Sequence, residues 1–313
     1  MTSPHNPACF ARHTGAWLME PGYLSRAVAA IRVGMAPTAE AGSPTICAGA
    51  KVVLDPNSHP DNPRVLYVVT VEGAAVVGLD GPLMKGDSKF GGTNTLRVRH
   101  ALRTASTDPD VRGILLYADT PGGHVAGTME LAAEVAAAGK IMPVHVHADD
   151  LLASAGYWAA SAASRISVNA IGQVGSIGVV AVVEDTSAAA SAQGVVVHVV
   201  STGDHKGAFT PGSPVTEDHL AELQATVDGI NVFFLAAVAK GRHLSAAQVA
   251  KAADGRVFFA DEALKLGLVD AVQPLEKSLA DLRKAWASYT PVAKGGGPRS
   301  RAQLALDIEA AHG

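Results

Sequence analysis

Between residues 65 and 200, short apolar runs alternate with stretches of helical length. Val65-Leu-Tyr-Val-Val-Thr-Val-Glu72 (closed by Gly73), Gly113-Ile-Leu-Leu-Tyr-Ala-Asp119 and Pro143–Ala148 are such runs, and Ile166–Asn169, Ile177–Val183 and Val195–Val200 carry the same signature. Segments of this length, rich in β-branched residues, read as buried strands. Thr95–Ala105, Val125–Ala138, Ala153–Ala163 and Ser187–Ala192 read as the helices between them. Parallel strands need a crossover of about a dozen residues or more, and a helix supplies it. The alternation therefore predicts an α/β fold of βαβ units with a mostly parallel, right-handed sheet. Beyond Gly212 the pattern turns helical. Thr216 opens a long amphipathic helix that runs to Lys240 and is stopped by Gly241, and Ser245–Val272 reads as two short helices around Arg256–Phe259. Hydrophobic residues make up 48% of the 313 residues, enough for a sizeable core, while only 5% are aromatic. Such a core packs small side chains closely.

The flanks differ in character. Residues 1–62 are punctuated by Pro37, Pro44, Pro56 and Pro60, and read as an irregular arm with one helix near Leu24–Val33. Residues 63–275 form the expected catalytic-type domain. Residues 276–313 read as a C-terminal helix and tail, with Gly295-Gly-Gly-Pro as a linker. A net charge of −4 leaves no electrostatic footprint for nucleic acid. Cys9 and Cys47 lie outside any metal-ligand spacing and read as thiols of a reducing compartment. The N-terminus lacks a basic segment followed by an apolar one, and no apolar run approaches the ~20 residues of a membrane span. The expectation is a soluble, cytoplasmic chain without a membrane anchor.

Parallel sheets place reactive groups at the carboxyl ends of strands. Three segments sit there. Asp119-Thr-Pro-Gly-Gly-His124 presents unshielded main-chain N–H groups, suited to an oxyanion, although a strand–helix turn needs glycine for backbone reasons alone. Ser154 lies among Ala153, Ala155 and Gly156 at the start of a helix, where small neighbours admit a substrate backbone; without a base it is an N-cap. Lys206, in Ser201–Pro211, serves as that base if desolvation lowers its pKa, and is otherwise a solvated loop lysine. No Gly-x-Ser-x-Gly elbow is present, and His145 and His147 share a strand face without a third metal ligand.

Taken together, these segments resemble peptidase family S49, the signal-peptide-peptidase-A-like serine proteases, and within it the phage capsid-assembly branch. Gly81–Phe90 is similar to that branch's substrate-side segment. Asp119-Thr-Pro-Gly-Gly123 is similar to the family's Asp-Ser-Pro-Gly-Gly turn, Ala153-Ser-Ala-Gly-Tyr-Trp158 to its nucleophile segment, and Gly175-Ser-Ile-Gly-Val179 to its Gly-Ser-Ile-Gly strand entry. Lys206 follows Ser154 by 52 residues, the spacing of the compact single-repeat form. The resemblance implies a crotonase/Clp-like fold of repeated ββα units and a Ser/Lys endopeptidase forming an acyl-enzyme. It casts Ser154 as nucleophile, Lys206 as base, Ser176 as the hydroxyl orienting the lysine, and Gly122 and Gly123 as the oxyanion hole. It further implies a protein or peptide substrate, homo-oligomerisation, no cofactor and no metal, with phage capsid, scaffold or portal proteins as partners and the host cytoplasm or prohead as location. Ala155 departs from the family's commoner glycine. The competing readings are a soluble signal-peptide-peptidase-like protease, a non-catalytic assembly protein on the same fold, and an acyl-CoA enzyme.

Overall fold

The computed structural model describes residues 16–19, 50–59, 61, 63–88 and 91–289. The expected helix at 24–33, both cysteines, and the glycine-rich linker with its terminal helix lie outside the described residues. Strands β1 (Ala16–Met19), β2 (Lys51–Leu54), β3 (Val65–Val69), β4 (Ala74–Asp80), β5 (Leu83–Met84) and β6 (Thr93–Asn94) precede helix α1 (Thr95–Ala105). The alternating part comprises β7 (Gly113–Thr120), β8 (Gly122–His124), α2 (Thr128–Gly139), β9 (Val144–Ala153), α3 (Ala155–Ser161), β10 (Arg165–Val168), β11 (Gln173–Gly175), β12 (Val180–Ala181) and α4 (Ser187–Ala192). It is followed by α5 (Glu217–Arg242), α6 (Ala246–Ala250), β13 (Val257–Phe259), α7 (Ala260–Lys265), β14 (Ala271–Val272) and α8 (Leu275–Ser288).

The larger sheet has the order β13-β11-β9-β7-β4-β3-β2, with β10 beside the first half of β9 and β14 beyond it. Its centre is parallel: β4 with β7, β7 with β9, and β9 with both β10 and β11. The strands are buried on both faces. On β7, Ile114, Leu116 and Ala118 face the main core beneath α1, α2 and α3, while Leu115 packs with Leu282 of α8 on the other side. That two-sided cover explains why the strand reads as an unbroken apolar run rather than an alternating one. His145 and His147 lie on the α8 side. His147 Nδ1 is 2.9 Å from the Ser278 hydroxyl, and both imidazoles are buried with pKa values pushed down by desolvation, that of His145 to about 4.

Helices α1 and α4 have the expected bounds. Four expectations need correction. The strand expected over 65–72 ends at Val69, because Thr70–Gly73 closes a tight turn with Gly73 at φ 98°, and a second strand, β4, follows. Of Ile177–Val183 only Val180 and Ala181 are paired. Val195–Val200 is no strand: its residues are largely exposed, and it pairs with no strand among the described residues. Gly241 does not stop α5, which runs on to Arg242 and ends at His243 in the left-handed conformation. Gly241 is instead a contact: a Cβ there would stand 1.9 Å from the Ser161 carbonyl oxygen of α3. By length and composition α5 is long and apolar enough to cross a membrane. Phe234 and Val238 are its buried residues, while Val232 and Phe233 are exposed.

Candidate active site

The site grows out of strand register. Thr120 on β7 is paired with Leu152 on β9, and Ala153 on β9 with Gly175 on β11. Gly122 and Ser154 each lie two residues beyond the first pair, and Ser176 lies one residue beyond the second. Three neighbouring parallel strands thus deliver the oxyanion-type turn, Ser154 and Ser176 side by side at their carboxyl ends, where open α/β sheets carry their ligands.

Ser154 is almost fully buried, at 1% exposure, and its Oγ has no hydrogen-bond partner among the described residues. Its backbone is held at φ 52°, ψ −118°, the geometry of a II′ turn position that favours glycine. The Ser154 N–H donates to the Gly175 carbonyl at 2.8 Å, and the Ser154 carbonyl accepts from Trp158 N–H as α3 begins. This is a sharp strand-to-helix turn with a serine at its tip, reached without the glycine-flanked motif that usually announces one. Ser176 repeats the device: φ 52°, 3% exposure, and an N–H bonded to the Arg256 carbonyl at 2.7 Å.

The two glycines of the turn serve different ends. Gly122 adopts φ 100° and donates its N–H to Thr120 Oγ1 at 3.2 Å. Gly123 is small because β5 crosses it: a Cβ would stand 2.0 Å from the Leu83 carbonyl oxygen. Thr120, not singled out by the sequence, is the pivot. Its hydroxyl donates to the Gly81 carbonyl at 2.6 Å, and its methyl lies 2.3 Å from where a Cβ on Gly156 would be. A β-branched hydroxyl residue directly before proline was the available signal.

Beside this row is a group of carboxylates that sequence reading passed over. Asp80 pairs in register with Asp119 on the neighbouring strand, and Asp149 accepts the Tyr117 hydroxyl at 2.6 Å. Burial, then the charges of Asp119 and Asp149, push the Asp80 carboxyl up to about 6. No group of three or more metal-ligating side chains occurs among the described residues.

Lys206 is exposed in this single chain. It sits in an exposed turn, its N–H bonded to the Gly203 carbonyl at 3.1 Å. Ser154 Oγ, lacking any partner, receives no hydrogen bond from it.

The family model of peptidase family S49 matches residues 136–287, a span holding Ser154, Ser176 and Lys206. The chain is 31% identical over 279 residues to Capsid assembly protease C of Escherichia phage lambda, covering 86% of this chain and 63% of the relative. Over residues 136–287 the chain resembles peptidase family S49. Other likenesses are broad: Protease 4 of Haemophilus influenzae is 32% identical over 218 residues, 68% of this chain and 34% of that protein. The Head-tail preconnector protein GP5 of Enterobacteria phage P21 is 29% identical over 212 residues, 66% of this chain and 42% of that protein. The chain spans less than two thirds of the length of each of these relatives.

Proposed function

We propose that the chain is a serine endopeptidase acting through an acyl-enzyme, with Ser154 as nucleophile and Lys206 as general base. The observation that carries the reading is the row of strand ends, which sets a buried, unpartnered serine hydroxyl between a glycine turn and a second serine. The likeness to family S49 supports both the peptidase chemistry and a crotonase/Clp-like fold. In the reaction, Ser154 Oγ attacks the peptide carbonyl and its proton passes to the Lys206 amine. The C–N bond then breaks as that proton goes to the leaving amine. The N–H groups of the Gly122–Gly123 turn, that of Gly122 turning from Thr120 Oγ1, and the main-chain N–H near Ser154 stabilise the tetrahedral oxyanion. Ser176 orients the lysine. Water, deprotonated by Lys206, finally releases the acyl group. No metal or cofactor is required.

Lys206 reaches Ser154 through assembly in this reading. The exposed valines of 195–200 and the exposed side of α5 are covered by further copies, and the loop carrying Lys206 is ordered against a neighbour. The likeness to a phage capsid assembly protease and a preconnector protein supports a protein substrate in head assembly, in host cytoplasm or prohead. A general signal-peptide-peptidase-like protease is the cellular alternative. The exposed setting of Lys206 favours one second reading, a non-catalytic assembly protein on the same scaffold.

The test is cleavage of casein by purified full chain, Ser154→Ala and Lys206→Ala. Each substitution is expected to lower the rate by at least ~10³-fold, as loss of a nucleophile or its base does. A variant cleaving at the wild-type rate rejects the dyad. An inactive parent that still assembles favours the second reading.

A further inference from the structure

The smaller sheet has the order β12-β1-β8-β5-β6. Its strands β8 and β12 do not pair with each other; each pairs with β1, which lies between them. Trp17, Leu18 and Met19 run antiparallel to His124, Gly123 and Gly122, while Ala16 and Trp17 pair with Ala181 and Val180. Remove β1 and a slot remains between two free strand edges, about two strand spacings or 9–10 Å across.

Both edges belong to the candidate site. One is the glycine turn itself, and the other begins four residues after Ser176. An edge on each side of a slot is the geometry that takes up an extended peptide through main-chain hydrogen bonds. Gly122 carries no Cβ, so a backbone can come close at the point where a scissile carbonyl must lie. β1 fills that slot with two pairs on one side and three on the other. A four-residue strand so held is a short element that opens at little cost.

We propose that residues 16–19 are an internal occupant of the peptide groove, a pseudosubstrate strand that extended peptides must displace. The inference rests on the peptidase reading for the identity of the groove. Its ligand class is an unfolded or extended polypeptide recognised chiefly by its main chain. Because only the open fraction of molecules accepts an outside peptide, apparent affinity is reduced by that fraction.

The proposal is tested with the full-length Ser154→Ala chain and a fluorescein-labelled synthetic peptide of residues 13–22. On a strand paired on both sides, successive N–H groups point to opposite neighbours, so prolines at 17 and 18 remove a hydrogen bond from each side. The Trp17→Pro/Leu18→Pro variant is expected to bind the peptide at least tenfold more tightly. Exchange of those amides in 123–124 and 180–181 that face β1 is expected to be slow in the unmodified chain, fast in the proline variant, and slow again once peptide is added. Equal affinity in the two chains overturns the proposal, and so does fast exchange in the unmodified chain, a readout independent of whether the variant folds. If the proline variant binds more tightly but the Ser154-containing chain cleaves nothing, the peptidase reading falls and the occupied groove stands. If that chain cleaves casein while the prolines change neither affinity nor rate, this inference alone falls.

Discussion

Ser154 is held in a backbone conformation that costs a non-glycine residue roughly 1–3 kcal/mol, and Ser176 shares its positive φ. The surrounding register over-determines both, since each N–H is fixed to a carbonyl of a neighbouring segment. The identity of Ser154 as a candidate was legible from its small neighbours and from the family resemblance, but its strain was not, because no local motif encodes it. Asp80 is a residue-scale prediction in its own right. Its folded-state pKa, raised to about 6, lies above the unfolded value, so the folded state binds the extra proton. Stability therefore falls as pH rises from about 4 to about 6, and the penalty is constant above that window. Asp80→Asn is expected to stabilise the chain by about 2 kcal/mol at pH 7.5, with the gain vanishing near pH 4. Thermal unfolding at the two pH values decides it, and an equal gain at both contradicts the assignment.

At the scale of elements, the site is a consequence of how three strands end. β9 is long enough to pair with β10 at its start and β11 at its finish, which carries Ser154 past the sheet to the side of Ser176. Helix α3 is then pinned from two sides. Gly156 abuts Thr120, and Gly241 lets α5 close on Ser161, with the Trp158 and Phe234 rings stacked at 4.8 Å. Since the atom opposing Gly241 is backbone, Gly241→Ala cannot be relieved by a rotamer change. It is expected to cost about 2–3 kcal/mol, the upper range for overpacking, seen as a lowered unfolding midpoint in denaturant. A midpoint within error of the parent means that α5 does not press on α3. Sequence reading took Gly241 for a helix stop because glycine ends helices as often as it admits neighbours, and only the partner helix distinguishes the two.

For the molecule as a whole, the surface that includes Val196 at 73%, Val200 at 97%, Val232 at 64% and Phe233 at 60% exposure is the main argument for assembly. Large apolar side chains left this exposed are candidates for an interaction surface. The chain is expected to sediment as a homo-oligomer at micromolar concentration, and Val200→Asp with Phe233→Asp to give a smaller species that has lost Ser154-dependent cleavage. A monomeric parent with full activity refutes the role assigned to that surface. The corrected strand at 195–200 belongs to the same account: its composition is that of a strand, yet a strand exists only through a partner edge, and the described residues provide none there. Sequence alone determined the α/β alternation, the parallel centre of the sheet and the segments bearing Ser154 and the Gly122–Gly123 turn, because these follow from local periodicity and turn chemistry, while Ser176 was legible only through the family resemblance. Tertiary structure alone decided that three strand ends align them, that Thr120 and Gly241 clamp the turn and helix, and that residues 16–19 lie across the site. Those are long-range pairings, and nothing in the local pattern of a strand says which edge it meets.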